Sequence, residues 1–258
     1  LPKLADWFAK APVQAVGVVT SETLACDGGG SLLVSTNDVN GNNKGDAGDV
    51  LSLTAMNCAF EGETVSGQIV VTVNSITGTP DFYPYAISVS MQFSNLTAQS
   101  SSIRSVGNGN LQVSIDRRGV NDDTLRLSTS DFSLASIYGG VTYRQALSNY
   151  ASSVVTKSDN SGVSSSASTS GALTSSAFES KSIAIKTLAP FVRVNAQYPF
   201  TPPDSQTYPR SGRILVTGAA GSAVRITATS ATTVLIELDA DANGSYESAT
   251  SKQWSEML

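Results

Sequence analysis

The sequence contains no histidine, and this absence removes a large class of chemistry at once. Serine–histidine and cysteine–histidine catalysis, histidine-ligated zinc or haem, and histidine-based pH switching all need an imidazole. Charged residues are also scarce, at 14% of the 258 residues, and the formal net charge is −5. Because phosphate groups are bound by clustered Lys and Arg, this charge argues against a nucleic-acid partner.

Long apolar runs and catalytic motifs are missing as well. No stretch approaches the roughly 18–20 apolar residues of a membrane-spanning helix, so we expect no transmembrane segment. No phosphate-binding glycine motif or nucleophile elbow stands between a strand and a helix. The scattered carboxylates show no spacing that singles out a pair for glycoside hydrolysis. We therefore predict a protein that is not an enzyme, with no catalytic and no cofactor-binding residues. The carboxylates considered are Asp122, Asp123, Asp131, Asp159, Glu179 and Asp204.

Cysteine is limited to Cys26 and Cys58, which could be two buried thiols or one disulfide. Pairing Val34 with Val50 in a hairpin would place Cys26 opposite Cys58 in the same ladder, which favours the disulfide. In the chain-entropy model such a bridge would stabilise the fold by about 3–4 kcal/mol, and it indicates an oxidising compartment. With the low charge and the abundance of Ser and Thr, it predicts an exported protein, either extracellular, on the cell surface or in the periplasm.

Period-two alternation is the dominant pattern that is present. Tyr85, Ile87, Val89, Met91 and Phe93 are apolar, whereas the residues between them are small or polar. Such alternation is typical of antiparallel strands with one buried and one wet face. The same rhythm recurs at 69–73, 111–115, 125–127, 183–185, 224–226 and 234–238. We predict an all-β chain, a large antiparallel meander of about 12–14 strands forming a curved sheet, half-barrel or sandwich, with short terminal helices over 2–10 and 252–257.

Two segments differ from this pattern in composition. Residues 158–176 are almost entirely Ser, Gly, Ala, Asn and Thr, which fits a flexible loop or an edge strand with weak register, and we favour a thin, exposed strand pair. Residues 189–210 carry five prolines and predict a long crossing without strand structure. The predicted division is a main antiparallel β domain over 1–188, followed over 189–258 by this crossing and C-terminal β-hairpins packed on the same domain.

The most specific motif is the 12-residue segment 38–49. Oxygen-bearing side chains fall at positions 1, 3, 5, 9 and 12, and the residue at position 7 would offer its backbone carbonyl, as a loop that wraps a hard cation requires. The segment resembles the calcium loops of dockerin modules and EF-hands, although Asn43 replaces the usual Gly at position 6 and the last ligand is Asp in place of Glu. The alternative is a polar hairpin loop without metal. The predicted calcium ligands are Asp38, Asn40, Asn42, Lys44, Asp46 and Asp49.

A shorter acidic segment, 239–247, repeats the start of the same pattern with the expected Gly244 at position 6. Position 12 is Thr250, a poor final ligand, so an acidic β-turn is the alternative. Of the two loops, we expect the first to contribute most of any stabilisation by calcium. The predicted ligands in the second loop are Asp239, Asp241, Asn243, Ser245 and Glu247.

Three blocks of the sequence resemble a pattern found in exported proteobacterial proteins, many of which have lipoprotein-type precursors. They are 26–31 with the sequence CDGGGS, the acidic segment 38–49, and Asn57-Cys58; a C-terminal part, from 209–218 to Trp254, is similar to the end of the same group. The resemblance covers about half of the chain. It implies a secreted or envelope-associated, β-rich protein and implies no known activity.

Two functions from different classes are consistent with these patterns. The leading hypothesis is a non-enzymatic structural or adhesive cell-surface protein, with a surface-fibre subunit as one form of it, stabilised by calcium and one disulfide. Its partners would be further copies of itself or surface glycans. The alternative is a periplasmic carrier that binds a lipid or another apolar ligand in a half-barrel.

Overall fold

A computed structural model describes residues 20–42, 44–79, 82–159, 162–194 and 208–257. These residues form one open antiparallel sheet of 14 strands in which each strand pairs with its neighbours in sequence. The all-β meander and the strand number are confirmed. The predicted helix over 2–10 lies outside the described residues.

The strands lengthen toward the middle of the sheet, from six residues at each edge to 19 in β8. Three 3-10 turns, Ser176–Phe178, Ala219–Gly221 and Trp254–Glu256, are the helical elements of the described residues. The strands are β1 (Thr20–Ala25), β2 (Ser31–Asn37), β3 (Val50–Phe60), β4 (Glu63–Thr77), β5 (Tyr85–Gln99), β6 (Ile103–Gly119), β7 (Asp122–Tyr138), β8 (Val141–Asp159), β9 (Gly162–Ser175), β10 (Ser182–Val194), β11 (Ser211–Thr217), β12 (Ala223–Ala228), β13 (Thr233–Asp239) and β14 (Ser248–Gln253).

The register of the strands places apolar side chains on one face of the sheet and polar side chains on the other. In β5 to β8, Ile87 pairs with Ile115, Ile115 with Leu125, and Leu125 with Val154, so one face carries continuous apolar rows. Because side chains alternate between faces, the residues between them line the opposite, polar face. We call the first surface the apolar face; its central rows hold Ile87, Val89, Met91, Phe93, Leu111, Val113, Ile115, Leu125, Leu127, Phe132 and Val154.

A line of irregular residues crosses the sheet from the end of β3 to the start of β11. At these positions the register shifts, and the backbone has positive φ at Asn or Gly. At Gly109 a Cβ would lie about 2.3 Å from the carbonyl oxygen of Asp131, so only glycine fits this close approach. Phe93 and Phe132, the partners of Gly109 on either side, meet edge to face above it with ring centroids 5.6 Å apart. Bulges of this kind bend a sheet and increase its twist. The residues in this line are Asn57, Gly67, Asn95, Gly109, Asn149, Gly171 and Gly212.

The disulfide between Cys26 and Cys58 is present, with the two Cα atoms 5.4 Å apart. The register from which it was predicted is wrong by three residues, because Val34 pairs with Leu53 and not with Val50. The cysteines meet by another route: the turn after β1 leaves the ladder of β2 and lies against β3, where Ala59 N–H donates to the Gly29 carbonyl. Gly30 permits this contact, since a Cβ there would overlap the Asn57 carbonyl.

The compositionally unusual segments extend the same sheet. Residues 162–175 form β9, which confirms a strand there, but β9 pairs on both sides and is not an edge. β10 continues to Val194, so 189–194 are strand and not crossing, with Pro190 at a register irregularity where a ladder hydrogen bond is already lost. Residues 195–207 lie outside the described residues.

The predicted C-terminal helix over 252–257 is replaced by the end of β14 and a single 3-10 turn. The reason is pairing: Lys252 and Gln253 continue the ladder with β13. Trp254 then stacks on Tyr208, with ring centroids 6.0 Å apart, and meets Phe191 edge to face. A strand partner and an aromatic contact thus outweigh a short apolar pattern.

Candidate metal-binding loops and the apolar face

The loop that follows β13 brings three carboxylates together. Ligand oxygens of Asp239, Asp241 and Glu247 all lie within 4.8 Å of one another, so this cluster could hold a metal ion. Asp239 ends β13 opposite Ala223 and is 5% exposed, while the other two carboxylates face solvent. Gly244, with φ of 85°, turns the loop back toward Asp239.

Backbone N–H groups orient these carboxylates. Asp239 accepts from the N–H groups of Asn243 and Gly244, and Glu247 accepts from that of Ala240 at 2.8 Å. Asn243 points its side-chain oxygen at the N–H of Ser245, at 2.7 Å. Of the predicted ligands in this loop, Asp239, Asp241 and Glu247 converge, while the side-chain amide of Asn243 donates to Asp241 at 2.9 Å.

A charged pair on the neighbouring strands supports this loop. Arg225 of β12 donates two hydrogen bonds to Glu237 of β13, at 2.7 and 2.6 Å, and its guanidinium lies 4.1 Å from the centroid of the Tyr246 ring. The hydrogen bonds from Arg225 lower the pKa of Glu237 below its ordinary value, despite the opposite effect of burial. The contact between Arg225 and Tyr246 thus attaches the loop to β12 at the residue that precedes Glu247.

The other acidic loop, 38–49, has a different internal arrangement. The side-chain amides of Asn40 and Asn42 both donate to Asp46, the first at 2.9 Å. Asp49 accepts from the N–H groups of Val39 and Asp46. Hydrogen bonds from the two amides lower the pKa of Asp46, with a further small effect of the Lys44 charge. A cation at this loop would have to displace amide donors from Asp46.

The two loops lie at opposite ends of the sheet. The loop 38–49 joins β2 to β3, and Gly48 N–H donates to the Val73 carbonyl of β4. The disulfide lies at the other end of β3, beside the turn to β4. The loop after β13 shares the end that holds the disulfide, because successive hairpins alternate between the two ends.

The residues of the apolar face are buried to different extents along the sheet. Near the disulfide its residues form a buried core around Leu32, Leu53 and Ala55, and Ile69 and Phe93 are also buried. Farther along β5 to β7, the apolar residues from Ile87 to Met91 and their partners are only half-buried. Groups that are half-buried on a continuous apolar surface can still contact an apolar ligand.

A polar row ends this surface. Tyr85 pairs with Arg117, Arg117 with Asp123, and Asp123 with Thr156, one step beyond the row of Ile87. Asp123 is 8% exposed, and Arg117 Nε lies 3.7 Å from its Oδ1. Burial raises the pKa of Asp123, an effect that the Arg117 charge opposes. We call Tyr85, Arg117, Asp123 and Thr156 the polar end row.

The other carboxylates considered for catalysis are dispersed. Asp131 lies in the middle of β7 and accepts a hydrogen bond from Ser130, and Glu179 pairs with Lys181 at 2.8 Å. Asp159 ends β8, and Asp204 lies outside the described residues. In the sequence, Asp123 is not distinguished from the rest of this group by its spacing. The sequence feature that could have identified it is its place in the alternation. Asp123 precedes Leu125 and Leu127 by two and four residues, so all three side chains lie on the same face.

Comparisons with known proteins give no relative: no protein-family model, curated protein or solved structure matches this chain. Within the described ranges, no helix has the length and apolar character needed to span a bilayer.

Proposed function

We propose that this protein is an exported, non-enzymatic carrier that holds the apolar part of a lipid-like molecule on its apolar face. The observation that carries the proposal is the half-buried apolar surface of β5 to β7, flanked by a buried core on one side and by the polar end row at its end. The export rests on the disulfide, which persists in oxidising compartments.

The dimensions of the surface suit an acyl chain. From Ile87 to Phe93 the strand advances about 20 Å, which exceeds the roughly 15 Å that one leaflet of a bilayer's hydrocarbon core spans. Ligand pockets are mostly apolar with a few polar groups that fix orientation, and the polar end row supplies such groups.

The edges of the sheet give less support to a fibre. β1 and β14 are each six residues long and largely exposed, with Ser and Thr prominent in both. Short, polar edges discourage pairing between copies. The structural or adhesive role remains the second candidate, and the Ser- and Thr-rich polar face favours it. On that face Ser88 pairs with Ser114, and Ser90 with Gln112.

We also infer that the metal ion suited to the loop after β13 is calcium. Its donors are all oxygens: three carboxylates, the side-chain oxygen of Asn243 and the carbonyl of Ser245 at position 7. Hard oxygen donors in a flexible loop suit Ca²⁺ better than they suit softer transition metals. Bound calcium would offset the mutual repulsion of Asp239, Asp241 and Glu247.

The test measures binding of methyl decanoate to the purified protein by calorimetry. Methyl decanoate is an uncharged chain with no hydrogen-bond donor. We expect saturable binding to the wild type. Val113→Lys, which places a charge in the middle of the apolar face, should weaken binding at least tenfold. Ser114→Lys, one residue along on the polar face, is the matched control and should bind as the wild type does.

Native mass spectrometry of freshly purified protein provides an independent measurement, since a carrier should retain lipid from its source. A bare mass together with no binding of methyl decanoate would contradict the carrier. Calcium-dependent binding of glycans, lost in Ser114→Lys and retained in Val113→Lys, would instead support the adhesive role.

A further inference from the structure

The polar end row contains a buried acceptor without a hydrogen bond. Asp123 Oδ1 is fully enclosed, and among the described residues no donor lies within hydrogen-bonding distance of it. Arg117 Nε, at 3.7 Å, is too far for a hydrogen bond. A buried acceptor that lacks a donor costs free energy, and native proteins contain few of them.

The position of Asp123 relates this acceptor to the apolar face. The register places Asp123 in line with Leu125 and Leu127, on the same face and at the end of the same strand. Its neighbours across the ladder are Arg117 and Thr156, which is 3% exposed. A chain lying along the apolar rows would therefore bring one of its ends to Asp123.

The charges there select among head groups. The charges of Asp123 and Arg117 offset each other, so a charged head group would give up its hydration without a net attraction in return. An uncharged hydroxyl costs less to desolvate and can donate to Oδ1. We infer that the polar end row binds the head group of the carried molecule, and that this head group is an uncharged hydroxyl, as in a monoacylglycerol or a long-chain alcohol. This inference rests on the carrier function proposed above.

The experiment compares four ligands that share one chain and differ in the head: monodecanoylglycerol, methyl decanoate, decanoate and decylamine. Calorimetry on the whole protein should show monodecanoylglycerol binding about tenfold more tightly than methyl decanoate, as expected for one hydrogen bond to a charged acceptor. Decanoate and decylamine should bind no better than methyl decanoate.

Variants assign the preference to Asp123. Asp123→Val removes the acceptor and should bring monodecanoylglycerol and methyl decanoate to equal affinity. Asp123→Asn keeps an oxygen but loses the charge and should retain about a threefold preference, which provides a second measurement if the valine variant does not fold. Asp116→Asn, in the same hairpin on the polar face, is the matched control and should keep the tenfold preference.

The outcomes separate this inference from the function on which it rests. If methyl decanoate binds and the wild type shows no preference for the hydroxyl, the carrier stands and the head-group site is wrong. The head-group site is also wrong if decanoate binds most tightly of the four ligands. It is wrong as well if Asp123→Val keeps the tenfold preference for monodecanoylglycerol. If none of the four ligands binds, the carrier itself fails.

Discussion

The two acidic loops share a spacing of oxygen-bearing side chains and differ in where those side chains point. In the loop after β13, three carboxylates converge; backbone N–H groups hold Asp239 and Glu247 in place, and one Asn amide, that of Asn243, donates to Asp241. In the loop 38–49, two Asn amides donate to Asp46, and among the described residues its carboxylates form no comparable cluster. A spacing of oxygen-bearing side chains therefore does not by itself bring the carboxylates together, because the backbone must also direct them toward one another.

The difference has a local cause. Asp239 is the last residue of a strand and is buried against β12, so its carboxylate has a fixed starting position. Asp38 follows β2 and lies outside the ladder, where its carboxylate accepts from the N–H of Gly41 in a local turn. Side chains with short polar groups compete readily for nearby backbone donors.

The largest expected effect is the stabilisation of the folded protein by calcium, and variants of each loop show which loop is responsible. Calcium at a hundredfold excess over its dissociation constant should stabilise the wild type by about 2.7 kcal/mol, because it binds the folded state. Asp239→Asn should remove most of this gain, and Asp38→Asn should leave most of it. The measurement is a melting curve for each variant with calcium and with chelator.

The sequence pattern alone predicts the opposite ranking, since 38–49 is the more complete loop. A gain that disappears in Asp38→Asn and survives in Asp239→Asn would therefore show that the ligand spacing of 38–49 matters more for calcium binding than the convergence of the carboxylates in 239–247. An unchanged wild-type midpoint up to millimolar calcium would mean that neither loop binds the ion.

An intermediate effect is expected at Arg225, which anchors only the second loop. Arg225→Met removes the paired hydrogen bonds to Glu237 and should cost about 1–2 kcal/mol of folding free energy. It also removes the contact with Tyr246 and should weaken calcium binding about threefold. Chemical denaturation and calcium titration measure the two effects.

Glu237→Gln is the matched control for that variant. It breaks the ion pair and leaves the Arg225 guanidinium free to stay over the Tyr246 ring, so it should lower stability with little change in calcium affinity. Equal loss of calcium affinity in both variants would show that the ring contact does not position the loop.

The smallest expected effect is the loss, at low pH, of the stability that ionised Asp46 gives to the loop 38–49. Because the folded-state pKa of Asp46 is lowered, its ionised form stabilises the loop at pH values above the ordinary range of Asp. That contribution should be lost as the pH falls below about 4 and through the lower folded-state pKa. NMR titration should show the side-chain amide signals of Asn40 and Asn42 moving with this step, and Asp46→Asn should abolish the movement. Signals that stay fixed through the titration would contradict the hydrogen bonds from Asn40 and Asn42 to Asp46.

The strands were predictable because alternation is a local signal. The apolar positions from Tyr85 to Phe93 lie on one face of β5, as their spacing predicts. Register is less local, and the pairing of Val34 with Leu53 depends on how far β2 extends before its loop begins. The cysteines were paired correctly from an incorrect register, because the turn after β1 leaves the ladder and its path cannot be deduced from alternation.

The sites were predictable only in part, for a related reason. The ligand spacing in 239–247 was visible in the sequence, but the hydrogen bonds that turn Asn40 and Asn42 toward Asp46 depend on the folded loop. Asp123 looked like one of several surface carboxylates because its burial arises from three neighbouring strands. The bulges, too, were hidden, since Asn95 and Asn149 adopt positive φ in the middle of long strands.

The strictly sequential pairing of the 14 strands has a consequence for how the chain is assembled and taken apart. Each strand needs only the one before it, so the sheet can grow hairpin by hairpin from one end of the chain, without waiting for distant segments. Contacts of short sequence separation favour rapid folding. Under mechanical tension applied at its two edges, the same sheet would unzip one strand at a time, except at β2 and β3, which lie between Cys26 and Cys58 and could not be extended past the covalent link.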